Sequence, residues 1–146
     1  MDSWVANYIG IPFETNGRTR DACDCYGLVR LVLLECESIR LPLLLDDYTD
    51  ALNLAETRKI VTSYAPLLLG ERVNIPRIRD IAVMRCAGSA THFGVYAGDG
   101  FILHTLSKTG SIIERISSFN MNSRLEGFYR VSENYRTASP FLVRSS

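Results

Sequence analysis

Histidine is scarce in this chain: His92 and His104 are its only two, so any imidazole-dependent chemistry has to run through those positions. Neither sign of charge is in excess. Sixteen Lys and Arg balance sixteen Asp and Glu, which excludes a broad electrostatic footprint for nucleic acid or an anionic membrane surface. Long apolar runs are lacking too, because the greasy stretch from Ile39 to Leu45 is interrupted by Arg40 and Pro42. The start, Met1-Asp2-Ser3-Trp4, has no cationic segment ahead of an apolar one. Neither a membrane span nor a signal peptide is therefore expected, and the chain is expected to be made in a bacterial-type cytoplasm. Four cysteines, Cys23, Cys25, Cys36 and Cys86, are too few to suggest a disulfide scaffold in a chain of 146 residues, which can bury a core of its own. Reduced thiols are expected. No internal repeat or low-complexity tract is visible.

What is there divides into a helical first half and a strand-rich second half. Trp4, Val5, Tyr8 and Ile9 recur at helical spacing behind a possible Ser3 cap, and Gly10 and Pro12 end that segment. A polar, cationic loop follows, with a turn at Asn16-Gly17. Cys25 to Cys36 then reads as a helix so apolar that it should be buried. A weaker helical pattern runs from Asp46 to Tyr64 and closes at Pro66. Beyond Pro76, short β-branched or aromatic runs at 81–84, 91–96, 100–105, 111–116 and 125–131 alternate with Gly, Ser and Asn, the pattern of an antiparallel meander. Helices followed by strands predict an α+β fold in one domain over residues 1–131, with N-terminal helices packed on an antiparallel sheet of about five strands. Residues 132–146 show no period, include Pro140, and read as a C-terminal tail.

The chemistry-bearing residues sit at the joints of this pattern. Cys25 opens the apolar helix in Asp24-Cys25-Tyr26-Gly27-Leu28-Val29. A thiol in a first helical turn meets unpaired amides and the positive end of the macrodipole, both of which favour a thiolate and could receive an oxyanion. His92 and His104 lie on two strands joined by Gly98-Asp99-Gly100, a hairpin signal. Both numbers are even, so any equal-parity register puts both rings on one face, directly opposite if the turn centres on Gly98. One thiol and two imidazoles suffice for nucleophilic acyl transfer, with His92 as base and His104 orienting it. Blander readings accompany each residue. Asp24 reads first as a helix cap, Arg18 and Arg20 as solvated loop residues that could otherwise bind a carboxylate, and Cys36 and Cys86 as packing. A redox or metal pair of Cys23 with Cys25 is disfavoured by their spacing.

These segments resemble the NlpC family of papain-like cysteine peptidases, in particular its phage-tail branch. The likeness rests on Gly10-Ile11-Pro12-Phe13, Asn16-Gly17-Arg18, Asp24 to Val29, Leu41-Pro42, Asp80 to Met84, Thr91 to Tyr96 with Gly98 and Gly100, and Ile102-Leu103-His104, spanning roughly Trp4 to Val131. It implies a catalytic triad of Cys25, His92 and His104 that cleaves amide bonds in the peptide stems of peptidoglycan. It also implies no cofactor, no metal, and partners limited to that substrate and other tail proteins of a virion. Phe13, Asp24 and Tyr26 are the implied substrate-facing neighbours. The alternatives are a structural tail component on the same fold that has lost activity, or an acyltransferase. The chain departs from the family's pattern at Phe13, where a tyrosine is usual, at Tyr26, where cell-wall members carry serine, and at Arg79, where a glycine usually precedes Asp80.

Overall fold

The computed structural model describes residues 3–44, 49–53, 55–56, 58–59, 69–86 and 89–136. A 3-10 helix, Ser3–Tyr8, leads to two very short strands, β1 (Arg18–Thr19) and β2 (Ala22–Cys23), and then to the long helix α1 (Cys25–Glu37). The strands that follow are β3 (Glu71–Val73), β4 (Ile81–Cys86), β5 (Ser89–Gly98), β6 (Phe101–Leu106) and β7 (Gly110–Arg115). A short helix, Phe119–Arg124, precedes the last strand, β8 (Leu125–Arg130). The helix expected from Asp46 to Tyr64 falls mostly outside the described residues.

Helix α1 starts where its sequence says it should. Asp24 is extended (φ −90°, ψ −174°) and its side chain accepts a hydrogen bond from the Gly27 amide, while Ser38 ends the helix in the left-handed region at φ 56°. Between these caps, the residues from Cys25 to Leu34 are all buried, as the apolar run predicts. Arg30 is the polar exception, and its Nε donates to the Leu41 carbonyl at 2.9 Å.

Among the described residues the sheet has six strands in the order β3-β8-β4-β5-β6-β7, one more than expected, because the edge strand β3 is too short and too polar to stand out in sequence. Only β4 to β7 form a meander. The last strand does not follow β7; the short helix carries the chain back so that β8 pairs with β4 and β3. Strand alternation sorts the side chains into two layers. Ile81, Val83, Phe93, Val95 and Leu103 join Leu28, Val29 and Val32 of α1 in the main core, whereas Ala82, Met84, Ile102 and Phe128 join Met121 of the short helix in a second cluster. After β8, the 3-10 helix Glu133–Tyr135 docks near the end of α1, with the Arg40 amide donating to the Tyr135 carbonyl at 2.8 Å. Among the described residues, no helix is long and apolar enough to cross a membrane.

The departure at Arg79 has a backbone explanation. Its φ is 72°, a conformation glycine adopts freely and an L side chain adopts with strain. The side chain offsets some of that strain, since Arg79 Nε bonds Glu37 at 2.6 Å and the guanidinium lies 5.1 Å from the Trp4 ring centroid.

Gly27 fixes how α1 meets the preceding loop. A Cβ at this position would collide with the Gly17 carbonyl oxygen, so the loop backbone lies directly against the first turn of the helix. Gly27→Ala is therefore expected to destabilise the fold by at least about 2 kcal/mol, well beyond an ordinary helical Gly→Ala change, as read from urea unfolding midpoints.

Candidate functional site

Cys25 is the first residue of α1, and Asp24 immediately before it is fully buried. The Asp24 carboxylate accepts from the Gly27 amide at 2.8 Å, from Arg18 Nη1 at 2.8 Å and from the Asn16 amide at 2.8 Å. It is thus turned inward and caps the helix. Arg18 is not a solvated loop residue. Its side chain is only 6% exposed, held by Asp24, by the Gly17 carbonyl at 2.9 Å and by the Leu43 carbonyl at 2.8 Å. The loop reading failed because it had no means of seeing a buried carboxylate that requires a cation. Arg20 does remain at the surface, paired with Glu35 at 2.7 Å.

Tyr26 points away from solvent as well. Its hydroxyl donates to the Pro42 carbonyl at 2.6 Å, its ring meets Phe93 edge-on, and the Arg18 guanidinium lies 5.1 Å from its centroid. Phe13 is half-buried, and its backbone bridges Cys23. Cys23, Cys25 and Cys36 are free thiols, with Cys23 Sγ donating to the Thr19 carbonyl at 2.9 Å. Among the described residues, no cluster of three or more His, Cys, Asp or Glu could hold a metal ion.

The hairpin carrying the histidines turns at Asp99-Gly100, both with positive φ (53° and 81°), and the register shifts between Tyr96 and Gly98. The centre of the turn lies beyond Gly98, so the two histidines are not directly opposite. Continuing the pairs Tyr96↔Ile102 and Val95↔Leu103 sets His104 across from Gly94, diagonal to His92, and the shared parity still brings the rings together. His92 Nε2 lies 3.0 Å from His104 Nδ1, and the rings are edge to face. Gly94 makes room for them. A Cβ there would lie 3.1 Å from the His104 Cβ and 2.8 Å from the Leu103 oxygen. Sequence reading missed a further member, since His104 Nε2 lies 2.9 Å from Glu114 Oε1 on β7. The pairing His104↔Ile112 places Glu114 two residues along on the same face, and the hairpin parity that grouped the histidines could have found it.

Cys25 packs against the strand that carries His92. The ladder between β5 and β6 stops at Val95↔Leu103. Strand amides point along the sheet plane, and the Phe93 amide, beyond the end of that ladder, lies near enough to Cys25 Sγ to favour a negative sulfur. Cys25 therefore lies against β5 beside the residue that follows His92.

Electrostatics do not favour a resting thiolate. Burial, and then the Asp24 charge, push the Cys25 thiol up to about 12, while the Phe93 and Tyr26 amides and Arg18 oppose the shift. The helix start was expected to lower this value. It does act in that direction, but enclosure at 9% exposure outweighs it. His92 is pushed down to about 3, first by burial, then by His104 and Arg124. His104 is also lowered by burial, against the upward pull of Glu114. At neutral pH the resting groups are a thiol and neutral imidazoles.

The profile of the NlpC/P60 family matches residues 10–130. The chain belongs to the NlpC/P60 family. It is 23% identical over 119 residues to the murein DD-endopeptidase MepS/murein LD-carboxypeptidase of Escherichia coli (strain K12), a match that covers 80% of this chain and 53% of the relative. The chain thus spans about half the length of the curated relatives it matches. Among solved structures it is similar to an NlpC/P60 family protein from Bacillus cereus ATCC 10987 (TM-score 0.60, 18% identity, 86% of this chain and 37% of that one). It is also similar to the NlpC/p60 domain of the peptidoglycan hydrolase SagA (TM-score 0.58, 16% identity, 86% and 92%). At these identities the NlpC/P60 likeness shows a shared papain-like α+β fold.

Two outcomes follow from the charges. Replacing Asp24 by Ala strands a buried Arg18 guanidinium and removes the cap, so Asp24→Ala should cost about 3–5 kcal/mol in urea unfolding. In the free protein, iodoacetamide alkylation of Cys25, followed by peptide mass spectrometry, should keep rising about tenfold per pH unit from pH ~6 to ~10. A plateau near neutral pH would show a preformed thiolate.

Proposed function

We propose that this protein is a cysteine endopeptidase that hydrolyses amide bonds in the peptide stems of peptidoglycan, with Cys25 as nucleophile, His92 as base and His104 orienting His92. One observation carries the reading. A buried thiol at a helix start lies beside the amide of Phe93, the residue after an imidazole whose Nε2 is taken up by a second histidine, which leaves Nδ1 for the proton of the sulfur. Substrate class comes from the relatives, a murein endopeptidase and a peptidoglycan hydrolase among them.

Because thiol and imidazole are both neutral at rest, proton transfer accompanies attack. Cys25 Sγ bonds to the carbonyl carbon as His92 takes its proton, and His92 then protonates the departing amine. Water hydrolyses the thioester. The amide of Tyr26 in the first turn of α1 is a ready donor to the oxyanion. The phage-tail setting is part of the proposal, supported by the bulky Tyr26 after the nucleophile. A second reading, a tail component that keeps the fold without turnover, is favoured by the near-complete enclosure of Cys25.

Purified protein incubated with purified peptidoglycan should release fragments with new peptide ends, identified by mass spectrometry, and Cys25→Ala should release none. Cleavage that persists in the variant sinks the nucleophile, and no cleavage by either protein supports the second reading. With His92 neutral well below its ordinary range, kcat/KM should be level from about pH 5 to pH 8. A limb near pH ~6.5 would mean that His92 titrates as an ordinary imidazole.

A further inference from the structure

We infer that Glu114 is a positioning residue of this site, which sets the direction of the hydrogen-bonded row Glu114–His104–His92 so that the lone pair at its far end faces Cys25. The inference rests on the roles proposed above for Cys25 and His92, and extends them to a residue on a third strand.

The argument is one of donors and acceptors. A carboxylate can only accept, so His104 Nε2, 2.9 Å from Glu114 Oε1, carries a proton and donates it. His104 is 2% exposed, and burial disfavours its doubly protonated form, so Nδ1 is left as an acceptor. His92 Nε2, 3.0 Å from that acceptor, must then be the protonated nitrogen of its own ring. His92 Nδ1 is consequently unprotonated, which is what a base for the Cys25 thiol requires. Without Glu114 nothing in the row selects a direction. A His104 protonated on Nδ1 would donate to His92 Nε2, place the His92 proton on Nδ1, and leave the thiol facing a donor.

The other groups around the pair do not set this direction. Arg124, on the short helix, is a cation that lowers both imidazoles, and Cys25 on α1 is a neutral thiol. Glu114 is the acceptor, with its side chain 27% exposed at β7, so substitution there leaves little void. Register supports the placement as well, since Ile102↔Glu114 and His104↔Ile112 put the carboxylate and the ring on one face.

The full chain labelled with 15N-histidine reports tautomers directly through the imidazole nitrogen shifts, alongside cleavage kinetics. In the wild type, both rings should carry their proton on Nε2. In Glu114→Ala the two tautomers of His104 and His92 should mix, and kcat should fall about 10- to 100-fold with KM within about twofold. Glu114→Gln keeps an acceptor oxygen without the charge, so it should restore the Nε2-protonated tautomers and most of the lost rate. A wild-type His104 protonated on Nδ1 overturns the assignment, as does a Glu114→Ala protein with wild-type tautomers, whatever its rate. If Glu114→Ala fails to fold, the wild-type spectrum and Glu114→Gln decide the matter. The spectra need no turnover, so the inference is judged separately even if Cys25→Ala shows the hydrolase reading to be wrong.

Discussion

Burying a carboxylate costs several kcal/mol unless nearby donors replace the water it loses, and Asp24 is buried completely. Its donors come from different places. The Gly27 amide belongs to α1, the Asn16 amide to the loop before it, and Arg18 brings with it a bond to the Leu43 carbonyl on the far side. One side chain thereby holds the start of the helix, the loop that passes over it and the segment that follows it in a single arrangement. Gly27 permits the approach, since a Cβ there would strike the Gly17 carbonyl. Because Cys25 is the next residue after Asp24, its position depends on this charge being satisfied.

The same carboxylate works against the sulfur. Asp24 and enclosure both hold the Cys25 thiol in its neutral form, outweighing the helix amides and Arg18. A site built this way does not store a thiolate. Under the proposed mechanism a well-oriented neutral base takes the proton as the sulfur attacks, so the direction of the histidine row matters more than its charge. Burial keeps both imidazoles neutral, and Glu114 anchors the end of the row at the sheet edge.

Much of this was legible in the sequence. The apolar run and the Asp24 cap marked α1, because capping and burial are local in the chain. Strand alternation and a glycine turn were enough to place His92 and His104 on one face, since any even register does so. The register itself was not legible. A shift between Tyr96 and Gly98 moved the turn, and bulges depend on how neighbouring strands twist. Strand β3, three residues long and polar, was missed for want of a pattern, as was the return of β8 to the other side of β4. Arg18 looked like a loop cation because the buried Asp24 that binds it is a tertiary fact.

By itself the sequence determined the local periods: a capped apolar helix opening with a thiol, a row of short strands, and two histidines of equal parity. Those depend on neighbours a few residues apart. Tertiary structure alone decided that the β5–β6 ladder stops at Val95, so that the Phe93 amide meets Cys25, and that Glu114 on β7 closes the row behind His104. These contacts join residues far apart in the chain, and their geometry is set by strand register and by the packing of α1 against the sheet, which no local pattern encodes.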